Sequence, residues 1–275
     1  MLKRTNRKIV ATGSIVEVYQ YKTRPLEYGY PISYFNKQKK VVGVFDQGSE
    51  NRKLEARKRA QRRSGSRIRR LVNSNAGQWR NPAGVLYIPI LVTLTFKDDI
   101  RDVKKANTRF SNFIRRLNYR VSGGSKQSIL KYVATVGFQD LKGRGAVHYH
   151  AVFFNLPIGD TNTISQAWKQ GEEVDVKEID NIRAVGFYIS RNESPRGDDP
   201  RLDKCKQYFT SRGLLQPIVM RDQRNAQAVE KLIPRKYIPD TDEFFGYQGL
   251  VGHSSYELDQ GETLFDIIPD LNNYL

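Results

Sequence analysis

The sequence predicts an α+β protein in which antiparallel strands form a sheet with helices packed on it. Three observations predict this. Residues 85–96, 130–138 and 146–154 are apolar runs rich in β-branched and aromatic side chains. Residues 103–121 carry apolar side chains at helical spacing, and glycine-rich breaks separate these segments.

Taken in order, Lys8 to Tyr21 reads as a strand or a hairpin turning at Gly13. Residues 52–70 hold ten Lys or Arg against the single acid Glu55, while Leu54, Ala56, Ala60 and Gln61 are compatible with a helix. This segment reads equally as a phosphate-gripping helix or as a solvated linker. A buried strand is predicted from Val85 to Phe96, with Pro89 placing a break near its start. Val103 to Val121 follows as an amphipathic helix on Ala106, Phe110, Phe113, Ile114 and Leu117. Arg115, Arg116 and Arg120 give it a basic rim, and Gly123 and Gly124 stop it. Leu130 to Phe138 and Ala146 to Phe154 form a hairpin across the turn Lys142-Gly143-Arg144-Gly145. Asn162 to Gly171 is a helix, Val174 to Val176 a short strand, and Ile179 to Asn192 a helix begun by Asp180 or Asn181.

The charge divides the chain further. With 46 Lys and Arg against 29 Asp and Glu, the net charge of +17 makes a polyanion the expected partner, nucleic acid first. No apolar run spans a bilayer and no secretory signal opens the sequence, so the expected setting is cytoplasmic, without membrane partners. Residues 237–275 hold eight acids and no Lys or Arg. The expected organisation is therefore a basic N-terminal region at 1–84, a central domain at 85–236 and an acidic tail at 237–275. The N-terminal region offers Arg52, Lys53, Arg57, Lys58, Arg59, Arg62, Arg63, Arg67, Arg69 and Arg70 to DNA.

The chemistry concentrates in the hairpin. A strand period of two puts His148 and His150 on one face with Tyr149 on the other, so two imidazoles can reach one metal. The chain has only three histidines and one cysteine, Cys205, which leaves His, Asp, Glu, Gln or water as ligands. Gln139 shares a face with Gly137 and Thr135 and is the first choice of third ligand, with Asp140 as the alternative. Such a site suits Mg²⁺ or Mn²⁺ with open positions. On the helix at 179–192, Tyr188 and Arg191 lie one turn apart. A phenol beside a divalent cation and an arginine is a competent nucleophile.

The order Ile90-Leu-Val-Thr-Leu-Thr-Phe96, Gly145-Ala-Val-His-Tyr-His150 and Val185-Gly-Phe-Tyr-Ile-Ser-Arg191 resembles the three motifs of the HUH endonuclease superfamily. More narrowly, it is similar to single-tyrosine rolling-circle replication initiators of bacterial plasmids, phages and integrative elements. Trp168-Lys-Gln-Gly171 and Tyr208-Phe-Thr-Ser-Arg-Gly213 share the resemblance. It implies a ferredoxin-like five-stranded antiparallel sheet with the histidines on a central strand and the tyrosine on a facing helix. It also implies that Tyr188 attacks a DNA phosphodiester, that His148, His150 and Gln139 hold the metal, and that Arg191 assists. The group usually has Lys where Arg191 stands, which limits Arg191 to electrostatics, and often Glu where Gly137 stands. The implied substrate is single-stranded or hairpin origin DNA. No phosphate-loop signature is present, so a host helicase and polymerase are expected partners. A relaxase or single-tyrosine transposase would use the same chemistry. A basic protein that binds nucleic acid without cutting it is the alternative from another class.

Overall fold

The computed structural model describes residues 3–28, 63–140, 143–156, 161–171, 174–179, 181–192, 199–202, 205–246, 248–259 and 261–275. The chain forms two compact units, one from residues 1–49 with 216–275 and the other from residues 50–215. In chain order the first unit contributes strands β1 (Lys3–Thr5), β2 (Arg7–Thr12), β3 (Ile15–Tyr21) and β4 (Leu26–Tyr28). The second unit follows with helix α1 at residues 63–75, β5 (Ile90–Thr95), α2 (Val103–Val121), β6 (Tyr132–Phe138) and β7 (Val147–Phe153). It continues through α3 (Thr161–Trp168), β8 (Val174–Glu178), α4 (Ile182–Asn192) and β9 (Tyr208–Thr210). The first unit is completed by β10 (Ile218–Met220), α5 (Gln223–Leu232), β11 (Asp240–Gly246), β12 (Gly249–Glu257) and α6 (Leu264–Ile267).

In the first unit, β2 and β3 turn at Gly13, whose φ of 60° is left-handed. They lie inside a five-stranded antiparallel sheet of order β10-β2-β3-β12-β11. Ile9, Val16 and Val18 pack with Ala226, Val229, Leu264 and Leu271 into its core. This corrects the expected division at 84/85 and 236/237, because the acidic tail supplies β11 and β12 and pairs with β3. Opposite charge makes two segments look unrelated along a sequence, yet it also lets them dock. Lys22 pairs with Glu243, and Lys236 lies 2.6 Å from Asp259.

The second unit is α+β, with an antiparallel sheet of order β8-β5-β7-β6-β9. Along β5 and β7 alternate side chains face opposite ways, and both faces are covered. On one face Val92, Leu94, Tyr149 and Phe153 meet Phe110, Phe113 and Leu117 of α2 and Ile164 and Trp168 of α3. Phe110 stacks on Tyr149 with ring centroids 4.4 Å apart. Phe110, Phe113 and Leu117 are each fully buried, which contributes about 1.5–3 kcal/mol apiece. Asp102 caps α2 by accepting from the backbone N–H groups of Lys104 and Lys105.

On the other face α1 and α4 cover only part of the sheet. Ile68, Leu71 and Val72 of α1 and Ile189 of α4 pack on Val133, Val152 and Phe154. The opposite end of that face, where β7 begins, carries His148 and His150 instead. The predicted helix at 179–192 begins three residues later, at Ile182. Ile179 is still extended and donates to Pro89 O, and Asn181 Oδ1 accepts from Ala184 N at 2.8 Å. The strand predicted from Val85 likewise starts after Pro89, at Ile90.

Gly186 sets how closely α1 and α4 approach. A Cβ there would lie 2.7 Å from Asn73 Oδ1 and 3.3 Å from Arg69 Cγ, so only glycine fits without moving a helix. Gly186→Leu is expected to lower the melting midpoint by about 5 °C, corresponding to about 1–3 kcal/mol of overpacking. A calorimetric scan checks this, and an unchanged midpoint would show that the helix contact is loose.

Candidate active site

The site is built by sheet register. In β7, His150 sits opposite Thr93 of β5 and Thr135 of β6, and His148 sits opposite Thr95 and Gly137. Thr93 in turn faces Asp175 of β8, and Thr135 faces Tyr208 of β9. A polar row therefore runs across all five strands on the face that α1 and α4 leave partly open. Gly137 makes the space for His148, because a Cβ there would lie 2.7 Å from the imidazole Nε2. A larger side chain at 137 and the present ring position exclude one another.

The two imidazoles converge, with Nε2 of His148 and Nε2 of His150 2.9 Å apart and their rings nearly perpendicular. Thr93 Oγ1 lies 3.2 Å from His150 Nδ1, a contact that selects the tautomer. His148 Nδ1 and Thr135 Oγ1 are buried and have no hydrogen-bond partner among the described residues. Burial pushes the pKa of each histidine down to about 4. His148 lowers His150 further, while the carboxylates of Asp140 and Asp175 oppose the shifts on His148 and His150 respectively. Both rings are therefore neutral at neutral pH, the form that donates to a metal.

This donor set fits a divalent cation. Two nitrogens at right angles on a cation about 2.1 Å away are separated by about 3 Å, which matches the observed spacing. Among the described residues no group of three or more His, Cys, Asp or Glu side chains could hold a metal ion, so further ligands must come from amide or solvent oxygens.

Tyr188 of α4 lies beside this pair. Its ring centroid is 5.3 Å from that of His150, at 74°. The neighbouring Ile189 is fully buried and anchors the helix, while Tyr188 is 46% exposed. The structure thus brings His148, His150 and Tyr188 together.

Other expected residues stand elsewhere or are otherwise engaged. Gln139 Oε1 accepts from Arg144 Nη1 at 3.2 Å. Arg144 also pairs with Asp99 and donates to the carbonyls of Phe96 and Lys97, so it ties the hairpin turn to the end of β5. Asp140 is held by both terminal nitrogens of Arg201, at 2.9 and 2.6 Å, and this occupies both carboxylate oxygens. Arg191 belongs to α4, but its side chain lies outside the described residues. The same holds for Arg52, Lys53, Arg57, Lys58, Arg59 and Arg62. Arg63 and Arg67 are exposed on α1, and Arg69 and Arg70 are half-buried there.

Sequence reasoning did not single out Thr93, Thr135 or Asp175. A signal existed in Thr93-Leu-Thr95, whose alternation matches that of His148-Tyr-His150. It becomes informative only once the register pairs the two strands.

Residues 89–193 match the family of replication-associated proteins described by its ORF2 members. The matched stretch runs from the start of β5 to the end of α4 and contains both histidines and Tyr188. It supports a replication initiator and a role in DNA replication. No curated protein and no solved structure matches the chain. Among the described residues no helix is long and apolar enough to cross a membrane.

The buried pair also predicts a pH response. Between about pH 6.5 and about 4 the unfolded histidines take up protons that the folded ones refuse. The unfolded state then binds more protons, so stability falls as pH falls through that window. Both tryptophans, Trp79 and Trp168, belong to the second unit and report its unfolding. In chelator, the tryptophan fluorescence midpoint is expected to drop across this range, and a His148→Gln/His150→Gln variant should flatten the drop.

Proposed function

We propose that the chain is a rolling-circle replication initiator that nicks and rejoins one DNA strand through a 5′-phosphotyrosine. The observation that carries this reading is the half-exposed Tyr188 ring beside two converging neutral imidazoles.

In the proposed reaction, the Tyr188 oxygen attacks the scissile phosphorus and its proton passes to solvent. The bond from phosphorus to the 3′ oxygen breaks as the tyrosyl ester forms, and that oxygen takes a proton to become a free 3′-hydroxyl. The hydroxyl primes synthesis, and its attack on the ester reverses the chemistry and rejoins a strand. His148 and His150 would hold a divalent cation, with Gln139 able to contribute the second lone pair of its amide oxygen. When bound, that cation would polarise a non-bridging phosphate oxygen as a Lewis acid. Two nitrogen donors suit Mn²⁺ better than Mg²⁺, which takes oxygen ligands. The buried rings cannot supply positive charge themselves at neutral pH, so their part is to hold and orient. Arg191, one turn beyond Tyr188, supplies electrostatic stabilisation in this reading. The Arg-rich segment before and within α1 grips phosphates, and a host helicase opens the duplex.

The test uses single-stranded oligonucleotides tiled across the element that encodes the chain, incubated with the full-length protein and Mn²⁺. A protein–DNA adduct that survives denaturing electrophoresis is expected on one tile, together with a shortened strand ending in a 3′-hydroxyl. Binding without an adduct on every tile would leave only a basic binding protein.

A further inference from the structure

On the sheet face remote from the histidines, the C-terminal half of α2 lines a cleft of about 1010 Å³. Five cationic side chains border it, Arg115, Arg116, Arg120, Lys126 and Lys169, together with the aromatic ring of Tyr119. This is the basic rim that the sequence displays, and the chemistry at the histidine pair does not use it.

Two of the cations have a structural task. Arg116 donates to the carbonyls of Ala167 and Trp168 and so caps the end of α3, and Arg120 donates to Gln166. The other three do not. Arg115 bonds only the neutral Asn112, and among the described residues Lys126 and Lys169 form no ion pair. Lys169 adopts a left-handed backbone, φ 56°, directly after α3, where glycine is the unstrained choice. A lysine kept there turns a helix terminator into a charge on the cleft. No acidic side chain borders the cleft, so its fixed charge is uncompensated.

Tyr119 supplies the second, independent feature. It is 57% exposed, and a Cβ placed on Gly124 would lie 3.4 Å from its hydroxyl and 3.5 Å from Cζ, so the turn after α2 backs the ring. An aromatic ring supported on one side and open on the other, among unpaired cations, is how proteins take a base and its flanking phosphates. A duplex cannot offer such a base because its faces are already stacked.

We propose that this cleft is a second nucleic-acid site. It takes the phosphates of a single DNA strand against Arg115, Lys126 and Lys169 and stacks one base on Tyr119. The choice of DNA as the polyanion rests on the function proposed above, while the cleft itself is separate from the nicking residues. A strand held there would remain attached while the reaction at Tyr188 opens and closes, which suits an enzyme that must keep hold of displaced DNA.

The test measures fluorescence anisotropy of full-length protein with labelled oligothymidylate in chelator over a salt series. The triple variant Arg115→Ala/Lys126→Ala/Lys169→Ala is expected to make the slope of log affinity against log salt shallower by about 2. Tyr119→Ala is expected to weaken oligothymidylate binding about tenfold while leaving an abasic oligomer of equal length unaffected. These residues are exposed, so wild-type melting midpoints are expected for the variants. A wild-type salt slope in the triple variant would overturn the site, as would equal effects of Tyr119→Ala on both oligomers. If that happens while Tyr188-dependent adducts still form, the cleft is discarded and nicking stands. A wild-type protein that binds no single strand removes both readings.

Discussion

Tyr188→Phe is expected to abolish the covalent protein–DNA adduct and to lower nicking by at least about 10⁴-fold, because the bond-forming oxygen is removed and water is not positioned to replace it. The structure makes this substitution unusually clean. Tyr188 is 46% exposed and its ring meets His150 edge-on, a contact that phenylalanine keeps. Melting and DNA affinity should therefore stay within about 0.5 kcal/mol of wild type, as for other surface changes. Denaturing gels of labelled DNA after incubation with Mn²⁺ read the adduct directly. An adduct of undiminished yield in the variant would assign the attack to another of the chain's 15 tyrosines or to a different nucleophile. Loss of the adduct together with loss of DNA binding would point to Tyr188 as a stacking residue instead.

Much of the second unit can be read from local chemistry. The helix at Val103–Val121 is bounded by Asp102, which caps its first turn, and by Gly123 and Gly124, whose left-handed backbones end it. The common face of His148 and His150 follows from strand periodicity alone, and so does the burial of Tyr149 against α2. What could not be read depends on partners distant in sequence. Asp175 and Thr93 join the row of His150 only through pairing with β8 and β5, and no local pattern sets that register. The first unit shows the same effect on a larger scale, since β3 pairs with β12, more than 200 residues away. Arg144 and Arg201 were equally hidden. Their charges look like part of a general basic excess, yet they hold Gln139 and Asp140, the two oxygen donors that sequence reasoning had offered as ligands. The Arg-rich segment illustrates a third limit, because charge dominates its composition while Ile68, Leu71 and Val72 decide how α1 packs.

His148→Ala is expected to reduce Mn²⁺-dependent nicking by about 10²–10³-fold, the range for removing charge stabilisation worth several kcal/mol at a developing phosphorane. His148 and His150 are the only pair of converging nitrogens at the site among the described residues, so loss of either leaves one imidazole and weakens metal affinity as well as reactivity. Raising the Mn²⁺ concentration should recover part of the activity of His148→Ala, whereas no metal concentration should rescue Tyr188→Phe. The fold should tolerate the change, because the side chain removed carries a buried nitrogen with no partner among the described residues. Gly137→Ala provides an independent route to the same outcome, since its Cβ would occupy the position 2.7 Å from His148 Nε2 and force the ring away. If metal donation by His148 matters, Gly137→Ala should share the metal-dependent loss and the partial Mn²⁺ rescue with the imidazole intact. Should both variants nick at the wild-type rate with an unaltered metal requirement, the cation must be held elsewhere, and the convergence of the two rings would be a feature of sheet packing alone.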